Sequence, residues 1–258
     1  MRQRWSIFLV TTVALWLLAH AIALFCHEFA HTFSALALGW KHNPFDLDWG
    51  PASPMNLLLQ QDIDENVDYP PIFASGHAFD AGVIALAGAA LGNLVVSLGL
   101  GLAACAIARK RSSTFLACFS YWLVTMSIGN LLSYVPLRVF ATHADMSTVQ
   151  HGFGWTPLQV LLFVGVPFFA AAAWFFLSFQ PRAIRALFPD SVARRYVMML
   201  LTSLTVFGFF ALGGMFGYGE TSHELSLAFM LGLGPLSLCL GMFLTRAERH
   251  RSPGALHQ

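Results

Sequence analysis

His27-Glu28-Phe29-Ala30-His31 places two imidazoles and a carboxylate within five positions. On a helix, residues four apart share a face, so both rings can reach one divalent metal. Glu28 stands beside them, placed to take a proton from a water that the metal activates. The pattern lies within an apolar stretch long enough to cross a bilayer. A charge at the centre of a membrane helix costs about 2.5–3.5 kcal/mol, so three ionisable residues this close together demand a compensating interaction. Metal chemistry supplies one. His20, seven residues earlier on nearly the same face, reads as a packed histidine rather than a further ligand.

A catalytic zinc takes three protein ligands and keeps one position open. His27 and His31 provide two, and the third must come from another segment that ends at the same depth. The candidates are His77, Asp80, His143, Asp145, His151, Glu220, His223 and Glu224. Two imidazoles with a carboxylate suit Zn²⁺ best, although iron and cobalt accept the same donors.

The elements that must position these groups are membrane helices. The chain has 258 residues, of which 57% are hydrophobic and 10% charged. This is the profile of an all-α, polytopic membrane helix bundle. Six apolar segments stand out, at about 6–38, 81–108, 114–136, 158–180, 196–217 and 225–245. The first exceeds one straight crossing, which predicts either tilt or a second half shielded by other helices.

Basic residues orient the bundle. Arg2, Arg4, Arg109, Lys110, Arg111, Arg182, Arg185, Arg194, Arg195, Arg246, Arg249 and Arg251 fall on one side, leaving Lys41 and Arg138 on the other. The positive-inside rule puts both termini in the cytoplasm. The first outer loop is acidic, with Asp46, Asp48, Asp62, Asp64, Glu65, Asp68 and Asp80. Arg2 to Ala21 also has the outline of a secretory signal, but the apolar pattern continues unbroken through Phe25, which argues against cleavage.

The whole chain, 1–258, reads as a single membrane-embedded domain with short loops, as in a bacterial inner-membrane protein. A net charge of +1 and the lack of a basic tract argue against a nucleic-acid partner. Cys26, Cys105, Cys118 and Cys239 all sit in apolar runs without CxxC spacing, so neither a disulfide framework nor a cysteine metal site is expected.

The arrangement resembles the site-2-type intramembrane metalloproteases. Their HExxH signature on a membrane helix is matched by His27, Glu28 and His31. Gly129-Asn130, Pro136 and His143-Ala144-Asp145-Met146 resemble a stretched form of their second signature. Gly88 to Asn93 resembles the Gly-rich stretch of the intervening helix. The likeness covers about residues 20–150, leaving additional helices at about 158–246. It implies that His27, His31 and Asp145 bind zinc, with His143 the nearest competitor for the third place. It also implies that Glu28 is the general base and that Asn93 and Asn130 assist as polar catalytic groups.

The expected function is hydrolysis of a peptide bond in or next to a transmembrane segment of a membrane protein or peptide. Two other functions remain open: a lipid amide or ester hydrolase with the same chemistry, and a non-catalytic scaffold. Intact Glu28 argues against the scaffold. Phe45-Asp46-Leu47-Asp48-Trp49 alternates apolar and acidic residues, which predicts a strand edge at the outer membrane face able to align a substrate.

Overall fold

The computed structural model describes residues 2–247; the predicted cytoplasmic charges Arg249 and Arg251 lie outside them. Among the described residues six helices are long and apolar enough to cross a membrane. In chain order the helices are α1 (Arg2–Ala37), α2 (Pro54–Leu59), α3 (Tyr69–Ala74), α4 (Ala78–Arg111), α5 (Thr114–Leu137), α6 (Ala144–Phe153), α7 (Pro157–Leu187), α8 (Val192–Gly214) and α9 (Glu220–Thr245). Among the described residues the architecture is all-α, with a single isolated β-bridge. The protein is a multi-pass membrane protein. Helix ends fall close to those expected from hydropathy, with the largest difference in α7, which runs on to Leu187.

α1 is about 54 Å long at 1.5 Å per residue, well beyond a bilayer core of about 30 Å. Its two halves have different surroundings. Ile7, Leu9, Val10 and Val13 are exposed, while Ala23, His27, Glu28, His31, Thr32 and Ala35 are buried. The second half is therefore shielded by protein, chiefly α4 and α5.

Small residues allow that approach. A Cβ on Gly92 would sit 2.4 Å from the Cys26 carbonyl oxygen and 2.7 Å from the His27 Cα. α4 thus meets the α1 backbone where the His27-to-His31 pattern begins. The hydrogen-bond ladder of α4 widens to π-helical turns over Gly88–Ser97, the same stretch that faces α1. Glycines also meet where α6 crosses α4: a Cβ on Gly152 would lie 2.5 Å from the Gly82 Cα. This contact fixes α6, and with it Asp145 in its first turn. Behind these helices, Val124, Ile128, Leu131, Phe168, Phe175, Val206 and Phe229 form the main apolar core.

The loop between α1 and α4 departs from the expected strand edge at the outer face. Instead it descends alongside α1. Phe45 packs on Phe29 and Phe33, with ring centroids 5.9 and 5.6 Å apart, and Trp49 lies 5.9 Å from Phe25. Farther down, the His20 ring donates to the Leu59 carbonyl at 2.8 Å. His20 lies about 25 Å along the helix from Ala37. Part of the loop backbone is satisfied within the loop itself. Asn56 donates to the Trp49 and Pro51 carbonyls and accepts from the Asp62 amide. The predicted strand is reduced to one antiparallel bridge, Asp48 to Asp64.

Candidate metal centre

His27 and His31 leave α1 on one face, as their spacing requires, with Nε2 atoms 3.0 Å apart. Asp145 Oδ2 completes a triangle, 3.2 Å from His27 Nε2 and 3.4 Å from His31 Nε2. Zinc–ligand bonds of about 2.0–2.1 Å imply donor–donor edges of about 3.3–3.4 Å in a tetrahedron. The three edges, 3.0, 3.2 and 3.4 Å, come within a few tenths of an ångström of one tetrahedral face.

Two further observations fit a metal at this triangle. His31 Nδ1 donates to the Ile84 carbonyl at 2.7 Å, which leaves its Nε2 lone pair free for a ligand bond. Gly88 leaves open the space in front of the rings: a Cβ there would lie 2.1 Å from His31 Nε2 and 2.6 Å from His27 Nε2. Asn93 sits on the far side of His27, with Nδ2 2.9 Å from Nδ1, and its Oδ1 is buried without a partner.

Asp145 lies just beyond α5 in a short helix outside the spans. Burial opposes its charge, but the His31 and His27 imidazoles outweigh it and hold its pKa well below the usual carboxylate range. His143, the competing ligand, turns away. Its ring stacks on Tyr218 at 4.7 Å with planes 13° apart. His77 is exposed and lies 3.3 Å from Asp80. His151 lies 3.4 Å from the Ser147 hydroxyl, and His223 donates to the Met215 carbonyl. None of these, nor Glu220 or Glu224, belongs to a cluster of possible metal donors among the described residues.

Glu28 is buried beside the triangle. It forms a second close group with His31 and Glu65, whose donor atoms lie within 4.8 Å of one another. Asn130 is half-buried and makes no hydrogen bond through its side chain. Its neighbour one turn later, Tyr134, reaches the centre instead. The Tyr134 hydroxyl donates to His27 Nε2 at 2.8 Å, and the ring stacks on His27 with centroids 4.7 Å apart. Arg138 lies 5.0 Å above that ring and donates to the Gly213 carbonyl.

Glu65 and Tyr134 are the residues that the sequence reading missed. Glu65 was one acid among seven in a polar loop, with nothing to single it out. It is turned inward because Asn66 adopts a left-handed conformation (φ 51°) and Lys41 grips the carbonyls of both residues. Tyr69 donates to its carboxylate at 2.9 Å. Burial raises the Glu65 pKa; His31 opposes that shift, while Asp145 and Asp64 reinforce it. Tyr134 had a weak signal, its place one turn after Asn130 and before Pro136. All four cysteines are free.

No family model, curated protein or solved structure matches this chain.

Proposed function

We propose that this protein is a zinc-dependent intramembrane endopeptidase of the site-2 type, hydrolysing a peptide bond in or next to a transmembrane segment. The observation that carries the reading is the triangle of His27 Nε2, His31 Nε2 and Asp145 Oδ2 with edges of 3.0–3.4 Å, beside the buried carboxylate of Glu28.

When bound, zinc polarises the scissile carbonyl and acidifies water. His27, His31 and Asp145 would hold it. Glu28 would accept a proton from the attacking water and return it to the leaving amine, so that the C–N bond breaks with the proton on nitrogen. The hydroxyl of Tyr134 loses its acceptor when His27 Nε2 commits its lone pair. It would then be free to donate to the carbonyl oxygen of a bound substrate, which gains negative charge as water adds. Asn93, held against His27 Nδ1, orients the ring rather than the substrate.

Two features of the descending loop support an enzyme that must bring water and substrate to membrane depth. Asp46, Asp48, Asp62 and Asp64 are exposed along the α1 side of the bundle. Carboxylates at such depth are tolerated where water solvates them. Within the stretch Phe45–Trp49 the one β-bridge is at Asp48, and this partly paired segment is the edge that would align an unwound substrate.

The test is hydrolysis of transmembrane peptides by the purified protein together with its zinc content. Wild type should hold about one zinc and lose activity with a chelator. Glu28→Ala should keep the zinc while activity falls by about 10²–10⁴-fold. Full activity in Glu28→Ala, or a folded wild type that takes up no zinc, would overturn the reading.

A further inference from the structure

At the end of the bundle opposite the histidines, a cleft of about 530 Å³ opens between the α4–α5 turn and α7. Arg109 near the end of α4 and Arg182 near the end of α7 line it, and no carboxylate does. Neither arginine is paired with a carboxylate among the described residues. Arg182 donates to Ser178 Oγ at 2.5 Å, and Arg109 reaches only the Cys105 sulfur at 3.9 Å. A guanidinium has five N–H groups, so most of the donors at this rim are unspent. The N-terminus of α5 enters the same cleft through Ser112, Ser113 and Thr114. Only the Leu116 amide is capped there by Ser113 Oγ, and the helix dipole adds further positive potential.

Below the rim the cleft is mostly apolar, with Ser120, Tyr121 and Ser178 adding hydroxyls to its wall. Leu102 lies about 10 Å along α4 from Arg109, and Trp174 about 12 Å along α7 from Arg182. Both line the cleft, with Phe179 and Leu187 between the elements. An inorganic anion would satisfy the rim and leave this wall uncovered. An acyl chain alone would cover the wall and leave two cations without a partner.

We infer that this cleft is a binding site for an anionic phospholipid, with the phosphate held by Arg109 and Arg182 and an acyl chain lying against Leu102 and Trp174. Guanidinium groups match phosphate oxygens in geometry and charge. The position agrees with the side of the bundle that the basic residues assign to the cytoplasm, where anionic lipids attract them. The bound lipid bridges the α4–α5 turn to α7. This inference does not depend on the peptidase reading.

Trp174 provides the probe. The full-length protein is titrated in mixed micelles with phosphatidylglycerol or phosphatidylcholine carrying brominated acyl chains, which quench a tryptophan in contact. The Trp174→Phe variant isolates that residue's signal. Trp174 should be quenched at a lower fraction of phosphatidylglycerol than of phosphatidylcholine. Each of Arg109→Gln and Arg182→Gln should weaken the preference about 5-fold. Arg→Lys at the same positions should keep part of it, which separates loss of charge from misfolding. Equal quenching by both lipids, or a preference unchanged in the double Arg→Gln variant, would overturn the site. Complete displacement by inorganic phosphate without quenching by either brominated chain would reduce it to a free-anion site and overturn the lipid assignment.

Discussion

Asn93 and His27 meet at 2.9 Å through Nδ2 and Nδ1, on the side of the imidazole away from Asp145. A ring that gives its Nε2 lone pair to a metal carries its proton on Nδ1 and needs an acceptor there. Asn93 can serve by presenting its carbonyl oxygen, because the two ends of an amide have the same shape. Oδ1, otherwise buried without a partner, then gains one. Asn93 sits within the widened turns of α4, so the distortion of that helix and the orientation of His27 belong to one arrangement. Asn93→Ala should lower zinc affinity about 10–100-fold while leaving the three ligands in place. Competition with a metal indicator measures this, and unchanged affinity would make the contact incidental.

The choice between Asp145 and His143 as third ligand is testable by metal content alone. Asp145 closes the triangle with His27 and His31, whereas His143 is stacked on Tyr218. Asp145→Ala should lose the zinc and His143→Ala should retain it. Retention in Asp145→Ala, with loss in His143→Ala, would show that the loop rearranges on metal binding.

Gly88 tests whether the space before the rings matters. Its missing Cβ would fall 2.1 Å from His31 Nε2 and 2.5 Å from His27 Cε1, so Gly88→Ala must push the rings aside. Zinc should be lost, at a stability cost of about 1–3 kcal/mol from overpacking. Gly99→Ala meets open space on the same helix and serves as the control. Equal zinc content in the two variants would count against a metal at this triangle.

Much of this arrangement could be read from the sequence, because membrane helices and metal motifs are short-range patterns. The six apolar runs define the spans, and the four-residue spacing of His27 and His31 defines their shared face. Asp145 required the resemblance, since nothing local distinguishes it from His143. The positions of Glu65 and Tyr134 depend on long-range packing. Glu65 is brought in by the left-handed turn at Asn66 and the grip of Lys41. Tyr134 stands immediately before Val135, where the backbone leaves helical geometry (φ −132°, ψ 115°). A hydropathy pattern carries neither feature. The descent of the loop beside α1 was hidden for a similar reason: its polar composition reads as outside the membrane, while Asn56 and His20 satisfy its backbone at depth.

Tyr134, in place of Asn130, is expected to stabilise the charge that develops on the substrate carbonyl. Tyr134→Phe should lower kcat about 10²-fold with zinc content and KM little changed. Asn130→Ala should have a much smaller effect, since its side chain makes no hydrogen bond. A small hydroxamate provides a readout apart from turnover: its affinity for the zinc-loaded protein should also weaken in Tyr134→Phe. The reverse ranking of the two variants would return the role to Asn130.

Glu65 makes a pH-dependent prediction for the metal-free protein. Its pKa is raised above the ordinary glutamate value of 4.5, first by burial. The folded state therefore binds the proton more tightly than the unfolded chain. The associated stability is fully present below pH 4.5 and is lost as pH rises through the folded-state pKa. Glu65→Gln keeps an acceptor for Tyr69 and removes the ionisation. In the presence of a chelator, the variant's Tm advantage over wild type should grow as pH rises above 4.5. Zinc adds positive charge beside the carboxylates and should shrink that advantage. A Tm difference that stays constant with pH in chelator would mean that Glu65 is solvated well enough to ionise at no cost, and that the loop lies more loosely over Glu28 than its contacts with Lys41 and Tyr69 imply.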